Sequence, residues 1–599
     1  MTGIFGCVSF SRDSKQFEEA IITSLDKRRG RKTKIYVDSR AIIGVQYNES
    51  SSDVYFLERG DFVIALLSSM ITKATTEKIS RVLSNRAIDV LDEYSAVVYD
   101  KSHQRLWLSS DVFNIRKVYY LKENEVLFFS SSLRHLISVL LKLASNKIFL
   151  SSIDIEPLIF YIASGIFPPG YTLFSNVKKT LPGEKLIFNS SGKILHEEEF
   201  LNVSGIHVIF EEKIAEDLVF NTLLNSVYER ISDYNKSVAV SLSGGIDSSL
   251  ILSLLTRVYP REKIVGVHIN VNPGENQSAE LIADHVGIKL NNIDLPSDPS
   301  RLLDLFEEGL RLVEEPTTRS GFVSRFVALK NMASLSKVVF LGEGGDELFL
   351  GYSPELWTWD EKVYVRPLIK SHLMAKILTS TFSSLGDFGI SKLRVLPACF
   401  YEDPILRYAL SATILDLNLF SMLSMMFRIN VSQLIVRKLE PIIKRAQSLG
   451  SDRETLSSRS YLLLFILPYS DVLMDENFAS FFNVSLKLPF FDREATKLAF
   501  SLSRKLKLND TTTKYIIRRM CENRKLIPAK ILQSKQKLGF IQPEFFLQSE
   551  EVSLEIKDKL KILPLNSSVL SLLNQLIELP RANKVSLTLL TYFESLGLY

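Results

Sequence analysis

One junction constrains this 599-residue chain more than any other feature: the apolar run Val238-Ala239-Val240-Ser241-Leu242 passes directly into Ser243-Gly244-Gly245-Ile246-Asp247-Ser248-Ser249, then into Leu250-Ile251-Leu252. A run of this length and character reads as a buried strand, and the residues after it as the start of a helix. The two glycines let the backbone turn sharply and present its N–H groups. Three serines add hydroxyl donors, and the helix N-terminus adds positive potential. The junction is therefore an anion site inside a strand-turn-helix unit. Asp247 would repel a phosphate unless it held a cation, so its placement points to Mg²⁺ between carboxylate and pyrophosphate. A Gly-Gly pair alone reads as a structural turn; the full constellation is what favours phosphate. The Gly-x-x-x-x-Gly-Lys-Ser/Thr pattern is absent, which removes the Walker type of nucleotide loop.

Around this junction the period of the sequence changes. Before it come short β-prone runs, Ile35-Tyr36-Val37, Ala41-Ile42-Ile43, Phe62-Val63-Ile64-Ala65, Ala96-Val97-Val98-Tyr99 and Val126-Leu127-Phe128-Phe129, with a helix expected around Glu77 to Leu91. The turns Phe167-Pro168-Pro169-Gly170 and Leu181-Pro182-Gly183 lead to the last strands of this region, and a boundary falls near Asn202 to Glu212. After it, Ile214, Leu218, Val219, Leu223, Val227 and Ile231 recur at helical spacing. Strands at Val238 to Leu242, Ile264 to Ile269 and Val338 to Leu341 then alternate with helices, the pattern of a parallel α/β sheet. Beyond Tyr352 the period is almost entirely helical.

Composition narrows the partners. With 72 Lys and Arg against 68 Asp and Glu, the +4 balance gives no reason to expect a polyanionic partner. The basic run Lys27 to Lys32 reads as a solvated turn, so no nucleic acid is expected. Cys7, Cys399 and Cys521 are too few and too scattered for a disulfide framework or a cysteine metal site. No secretory signal pattern is visible at the N-terminus, and the cytosol is the expected compartment. Tyr408 to Phe427 is the most membrane-like segment. Its central Asp416 alone would cost about 2.5–3.5 kcal/mol on insertion, so it reads as a buried helix rather than a span.

The Ser-Gly-Gly-x-Asp-Ser turn resembles the PP-loop of ATP pyrophosphatases, which cleave ATP between its α and β phosphates. Further segments then resemble the asparagine synthetase family in order along the chain. They are Ala163-Ser164-Gly165, Thr172-Leu173-Phe174, Leu181-Pro182-Gly183-Glu184, the helix with Glu275, Ala279 and Ala283, and Gly342-Glu343-Gly344-Gly345-Asp346-Glu347-Leu348-Phe349 followed by Gly351-Tyr352. Pro489-Phe490-Phe491-Asp492 and Lys537-Leu538-Gly539-Phe540 complete the set. The resemblance implies two domains. Residues 1–205 would form an Ntn-hydrolase-like αββα domain of the glutamine amidotransferase type, and residues 213–599 a parallel-sheet ATP-pyrophosphatase domain with a helical elaboration.

The same resemblance implies roles for individual residues. Ser243, Gly244, Gly245, Asp247, Ser248, Ser249, Gly342 and Asp346 would bind ATP and pyrophosphate, with Asp247 and Asp346 holding Mg²⁺. Glu343 would take a proton from the attacking nitrogen, or stabilise that nitrogen as it loses one. Lys537 would neutralise charge on the α-phosphate and the tetrahedral carbon. The implied reaction is ATP-dependent amide formation: a small carboxylate, aspartate first, becomes its adenylate, ammonia or an amine attacks, and AMP and pyrophosphate leave. No membrane partner is expected, and self-association stays open.

Departures from the family pattern cluster in the first domain. The family's nucleophilic cysteine follows the initiator methionine, but Thr2 stands here; threonine can serve when its own α-amine is the base. Leu67-Ser68-Ser69 replaces Asn-Gly-Glu, and leucine cannot donate to an oxyanion. Arg29-Gly30 is kept, but Arg31 and Lys32 replace Pro and Asp. Cys7 lies inside the first strand without a terminal amine and reads as core. A first domain without efficient glutaminase activity follows. In the second domain Ser485 and Lys487 replace Glu and Arg, and Arg319 replaces an Asp, which leaves the acyl substrate open. Two other readings are carried: a β-lactam-synthetase-like or peptide-cyclising enzyme with an intramolecular amine, disfavoured because that branch has tyrosine where Glu343 stands, and a catalytically silent regulatory partner.

Overall fold

The computed structural model describes residues 3–11, 13–25, 31–48, 53–69, 93–143, 153–198, 208–270, 273–318, 321–352, 403–413, 423–424, 427–448, 455–510, 512–534 and 583–596, with positions 556, 570, 573 and 574. Among the described residues the chain opens with twelve strands, β1 (Gly3–Ser9), β2 (Arg31–Val37), β3 (Ala41–Asn48), β4 (Val54–Arg59), β5 (Phe62–Ser68), β6 (Tyr94–Asp100), β7 (Arg105–Ser110), β8 (Tyr119–Glu123), β9 (Val126–Ser130), β10 (Lys178–Lys179), β11 (Glu184–Phe188) and β12 (Ile194–Glu198). They form two antiparallel six-stranded sheets in the orders β10-β8-β9-β1-β3-β2 and β12-β11-β7-β6-β5-β4.

Strand periodicity explains how the sheets stack. Successive side chains point to opposite faces. Ile4 and Val8 of β1 therefore join one core with Val63, Ala65, Val97 and Leu108 of the other sheet. Phe5 and Cys7, between them in sequence, join a separate core with Leu136 and Leu140 of the helix Leu133–Leu143. The five β-prone runs read from the sequence lie within β2, β3, β5, β6 and β9. The helix expected around Glu77 to Leu91 lies outside the described residues.

A five-stranded sheet follows, built from β13 (Val238–Ser241), β14 (Ile264–Asn270), β15 (Lys289–Asp294), β16 (Val338–Phe340) and β17 (Ser485–Lys487) in the order β15-β14-β13-β16-β17, all pairs parallel. The chain leaves β13 toward one edge, then restarts at β16 on its other side. That reversal opens a crevice at the strand C-terminal ends, where open parallel sheets bind ligands. Val238, Ala239 and Val240 are fully buried, as a central parallel strand covered on both faces requires.

Two findings differ from the sequence reading of this region. β15 was not among the expected strands: its pattern is only half-buried at the sheet edge, so it carries no apolar run. β17 lies in the stretch read as helical, because three residues are too short to establish a period. The helix Glu212–Glu229 forms where apolar spacing places it, but it buries Ala215, Val219, Leu223 and Val227 and leaves Ile214 and Leu218 exposed. Of the membrane-like segment, Tyr408, Ala409 and Leu410 are buried on the helix Pro404–Thr413. Among the described residues no helix is long and apolar enough to cross a membrane.

Candidate active site

The loops after β13 and β16 interlock at the crevice. Gly244 takes φ +75°, the left-handed region glycine enters without strain, and the helix Ile246–Val258 starts two residues later. The serine hydroxyls brace the turn: Ser243 and Ser248 Oγ lie 3.2 Å apart, and Gly245 N–H donates to Ser243 Oγ at 3.3 Å. Ser249 is fully buried, its hydroxyl without a hydrogen-bond partner among the described residues. The second loop approaches so closely that a Cβ on Gly342 would lie 2.8 Å from Ser248 N, and one on Gly345 2.5 Å from Asp247 Oδ1. Glycine at both positions is thus a condition of bringing Asp247 and Asp346 together.

What the two aspartates share is a lysine on which no sequence reading fell. Lys514 precedes the helix Tyr515–Asn523; its ammonium lies 2.5 Å from Asp346 Oδ1 and also pairs with Asp247. Burial works against the charged ammonium, but the two carboxylates outweigh it and hold Lys514 above the ordinary lysine range. Gly351 leaves space for this contact, since a Cβ there would meet both Asp346 and the Lys514 stem. A lysine 267 positions from Asp247 carries no spacing signal linking it to the turn. Its visible marks are the three threonines before it, Thr511 to Thr513, and the amphipathic helix after it, which buries Ile516, Ile517, Met520 and Cys521.

Glu343 stands between β16 and Asp346, and it too is held by a cation. Arg325, on the helix Phe322–Leu335, donates to Glu343 Oε1 at 2.8 Å and to Asp475 Oδ2 at 2.6 Å, with Asp471 at 3.9 Å. Burial pushes the Asp475 carboxyl up to about 8; Arg325 opposes that rise, and Glu343, Asp471 and Glu476 reinforce it. None of Arg325, Asp471 and Asp475 was singled out in the sequence.

The end of β5, where the sequence departs from the amidotransferase pattern, is occupied differently. Leu67 is buried, Ser69 Oγ bonds to the buried Glu93, and the Ser69 carbonyl accepts from Lys487. Ser485 Oγ donates to Asp53 Oδ1 at 2.9 Å. The two departures on β17 therefore face the two-sheet region. Arg116 adds Asp53 at 3.1 Å and Glu476 at 3.6 Å, and Arg230 adds Glu93 at 3.4 Å and Asp492 at 3.3 Å. Cys7 is fully buried and its thiol is pushed well up by burial, so it remains protonated. Thr2, Arg29, Arg319 and Lys537 lie outside the described residues.

A serine-rich turn at the switch point of a parallel sheet, with two aspartates converging across it, is an arrangement of the PP-loop ATP-pyrophosphatase class, and the family match below makes the chain a carbon–nitrogen ligase. The family comparison is more specific. Residues 219–567, more than half of the chain, match the asparagine synthase family model, and the protein belongs to that family. It is 25% identical over 459 residues to asparagine synthetase [glutamine-hydrolyzing] 1 of Bacillus subtilis (strain 168), covering 75% of this chain and 67% of that one. It is 23% identical over 293 residues to a putative asparagine synthetase [glutamine-hydrolyzing] 2 of Methanocaldococcus jannaschii, covering 48% of this chain and 55% of that one. A stretch of 79 residues, 12% of this chain, is 35% identical to 31% of an NH(3)-dependent NAD(+) synthetase of Methanococcus aeolicus.

Proposed function

We propose that the protein activates a small carboxylate with ATP and passes it to ammonia or an amine, forming an amide and releasing AMP and pyrophosphate. The observation that carries this reading is the convergence of Asp247 and Asp346, from two adjacent strand ends, on a single cation beside the serine turn. Aspartate is the leading carboxylate by family membership. The turn N–H groups and the Ser243 and Ser248 hydroxyls would take the phosphates.

Mg²⁺ fits this donor set. Among the described residues no group of three or more His, Cys, Asp or Glu side chains converges, so no all-protein metal cage is present. Two carboxylates completed by substrate phosphates and water are what Mg²⁺ prefers. When bound, the ion would neutralise pyrophosphate charge. Lys514 holds the same two carboxylates together and can follow the phosphates as a flexible point charge. Glu343 would accept the proton of the attacking nitrogen, and Lys537 would offset charge at the α-phosphate.

Ammonia, rather than glutamine, is the proposed nitrogen source. The support is Leu67 without a donor and Ser69 already engaged by Glu93 and Lys487. The same facts suit a substrate that carries its own amine, which is the second reading. The buried free thiols Cys7 and Cys521 are compatible with a reducing cytosol. The test is a screen of carboxylates, L-aspartate first, for carboxylate-dependent exchange of labelled pyrophosphate into ATP, followed by product formation with ammonia, with glutamine, and with no added nitrogen. Exchange with none of them would discard the ligase reading, and turnover without added nitrogen would move it to the cyclising branch.

A further inference from the structure

Arginine presents five donors in a planar fork, so one guanidinium can fix two carboxylates in a defined relation. Arg325 is used this way. Its helix is locked to the helix Asp471–Phe482 by Phe322 on Phe478 at 5.4 Å and Phe326 on Phe478 at 5.3 Å between ring centres, so the fork starts from a rigid base. One arm reaches Asp475, whose side chain is 2% exposed, and the other reaches Glu343, which is 22% exposed. Asp471, 27% exposed, stands 3.9 Å from the second arm. The anchor is thus buried behind the arginine, while the held carboxylate reaches the open side of the crevice.

That arrangement answers a need of the proposed chemistry. As the C–N bond forms, the acyl C–O bond to AMP breaks, AMP leaves with the electron pair, and the N–H proton passes to a carboxylate. A base for this step must stand within hydrogen-bond reach of the nitrogen. Glu343 sits on a glycine-flanked loop that by itself would leave the carboxylate free to turn. We propose that Arg325 is a positioning residue for amide formation, holding Glu343 at the reacting nitrogen with one arm of its guanidinium while Asp475 anchors the other. The proposal rests on the ligase reading and adds to it a residue that acts through Glu343.

Half-reactions separate positioning from mere scaffolding, using the full chain and the carboxylate that supports pyrophosphate exchange in the wild type. In Arg325→Gln, amide formation with ammonia, or with the substrate's own amine where none need be added, should fall about 10–100-fold, the range typical of outer partners of an active group. Exchange should change less than about threefold, because adenylation does not use the base. Hydroxylamine attacks without such help, so hydroxamate formation should be nearly retained, and Arg325→Lys should recover part of the loss. Should Arg325→Gln fail to fold because the buried Asp475 carboxyl is left without its partner, Arg325→Gln/Asp475→Asn replaces that carboxyl with a neutral amide and should show the same split. Equal losses in exchange and amide formation, or an unchanged amide rate, would overturn the proposal. A wild type that exchanges pyrophosphate with no carboxylate would overturn the ligase reading and this proposal with it; normal exchange without the split would overturn the proposal alone.

Discussion

Two strand ends, one on β5 and one on β16, show how differently the two halves of this chain treat the same kind of position. After β5, Leu67 is buried and Ser69 is bound by Glu93 and Lys487, so its polar groups are spent within the protein. After β16, Glu343 pairs with Arg325 and Asp346 with Lys514, and the two carboxylates remain 22% and 20% exposed. The substitutions also compensate one another. Ser485 and Lys487, which depart from the family pattern in the second half, bond to Asp53 and Ser69 in the first. A strand end that keeps charged side chains half-open can serve a ligand; one whose groups are satisfied internally serves packing.

The sharpest way to break this comparison is to remove charge from the open end. Asp247→Asn and Asp346→Asn keep side-chain size but each would deprive the proposed Mg²⁺ of a ligand, and each should lower Mg²⁺-dependent adenylation by more than about 100-fold, beyond the 10–100-fold usual for outer partners. Pyrophosphate release measured beside circular dichroism checks this. Full activity in a folded variant would remove that aspartate from the site.

Next comes the closed end. Glutamate release from glutamine should run at least about 100-fold below ammonia-dependent turnover, since loss of a single oxyanion donor already costs about 10²–10³ in rate. The measurement is made on wild type and Thr2→Ala, after mass spectrometry has established whether Met1 is removed. Robust release that vanishes in Thr2→Ala would show that the two strand ends are both catalytic and that Thr2 is a nucleophile.

Legibility followed the same divide. The turn at Ser243 was readable because it is a contiguous string attached to an apolar strand whose glycines and hydroxyls suit an anion; the loop at Gly342 was readable through its resemblance to the family's second signature. Lys514 and Asp475 were not, since Lys514 lies 267 positions from Asp247 and Asp475 lies 150 from Arg325; Arg325 is only 18 positions from Glu343, but a lone Lys, Arg or Asp outside a motif defaults to a solvated residue. The sheet could be placed from β13, β14 and β16, whose apolar runs are buried, but not from β15 at its edge or from three-residue β17. Ser485 and Lys487 were visible as departures, yet their meaning required Asp53 and Ser69, more than 400 positions away.

That pairing can be tested by stability. Lys487→Met removes the donor to the Ser69 carbonyl and leaves a buried acceptor unsatisfied, which should cost about 1–3 kcal/mol. The exposed pair of Lys330 with Glu308 provides the control; Lys330→Met should cost no more than about 1 kcal/mol. Urea unfolding followed by both circular dichroism and tryptophan fluorescence reads the difference, and coincidence of the two probes shows whether a single transition is being compared. Equal midpoints for the two variants would mean that the closed strand end contributes nothing to holding the halves together.

The smallest effect expected is a pH dependence from Asp475, which lies behind the open end rather than in it. Its carboxyl is pushed up to about 8 by burial, well above the roughly 3.9 of an unfolded aspartate. A raised folded value means that the native state binds the proton more tightly than the unfolded chain does. The contribution to stability is then fully present below about 4 and is lost as pH rises through about 8. Asp475→Asn mimics the protonated form at every pH, so this part of the pH slope should vanish: relative to wild type, the variant should gain thermal stability progressively from about pH 4 to about pH 8 and level off above. Melting temperatures of both proteins in that window decide it. A constant difference would mean that Asp475 keeps its charge throughout, with Arg325 outweighing its burial, and the anchor behind Glu343 would then be an ion pair rather than a neutral acid.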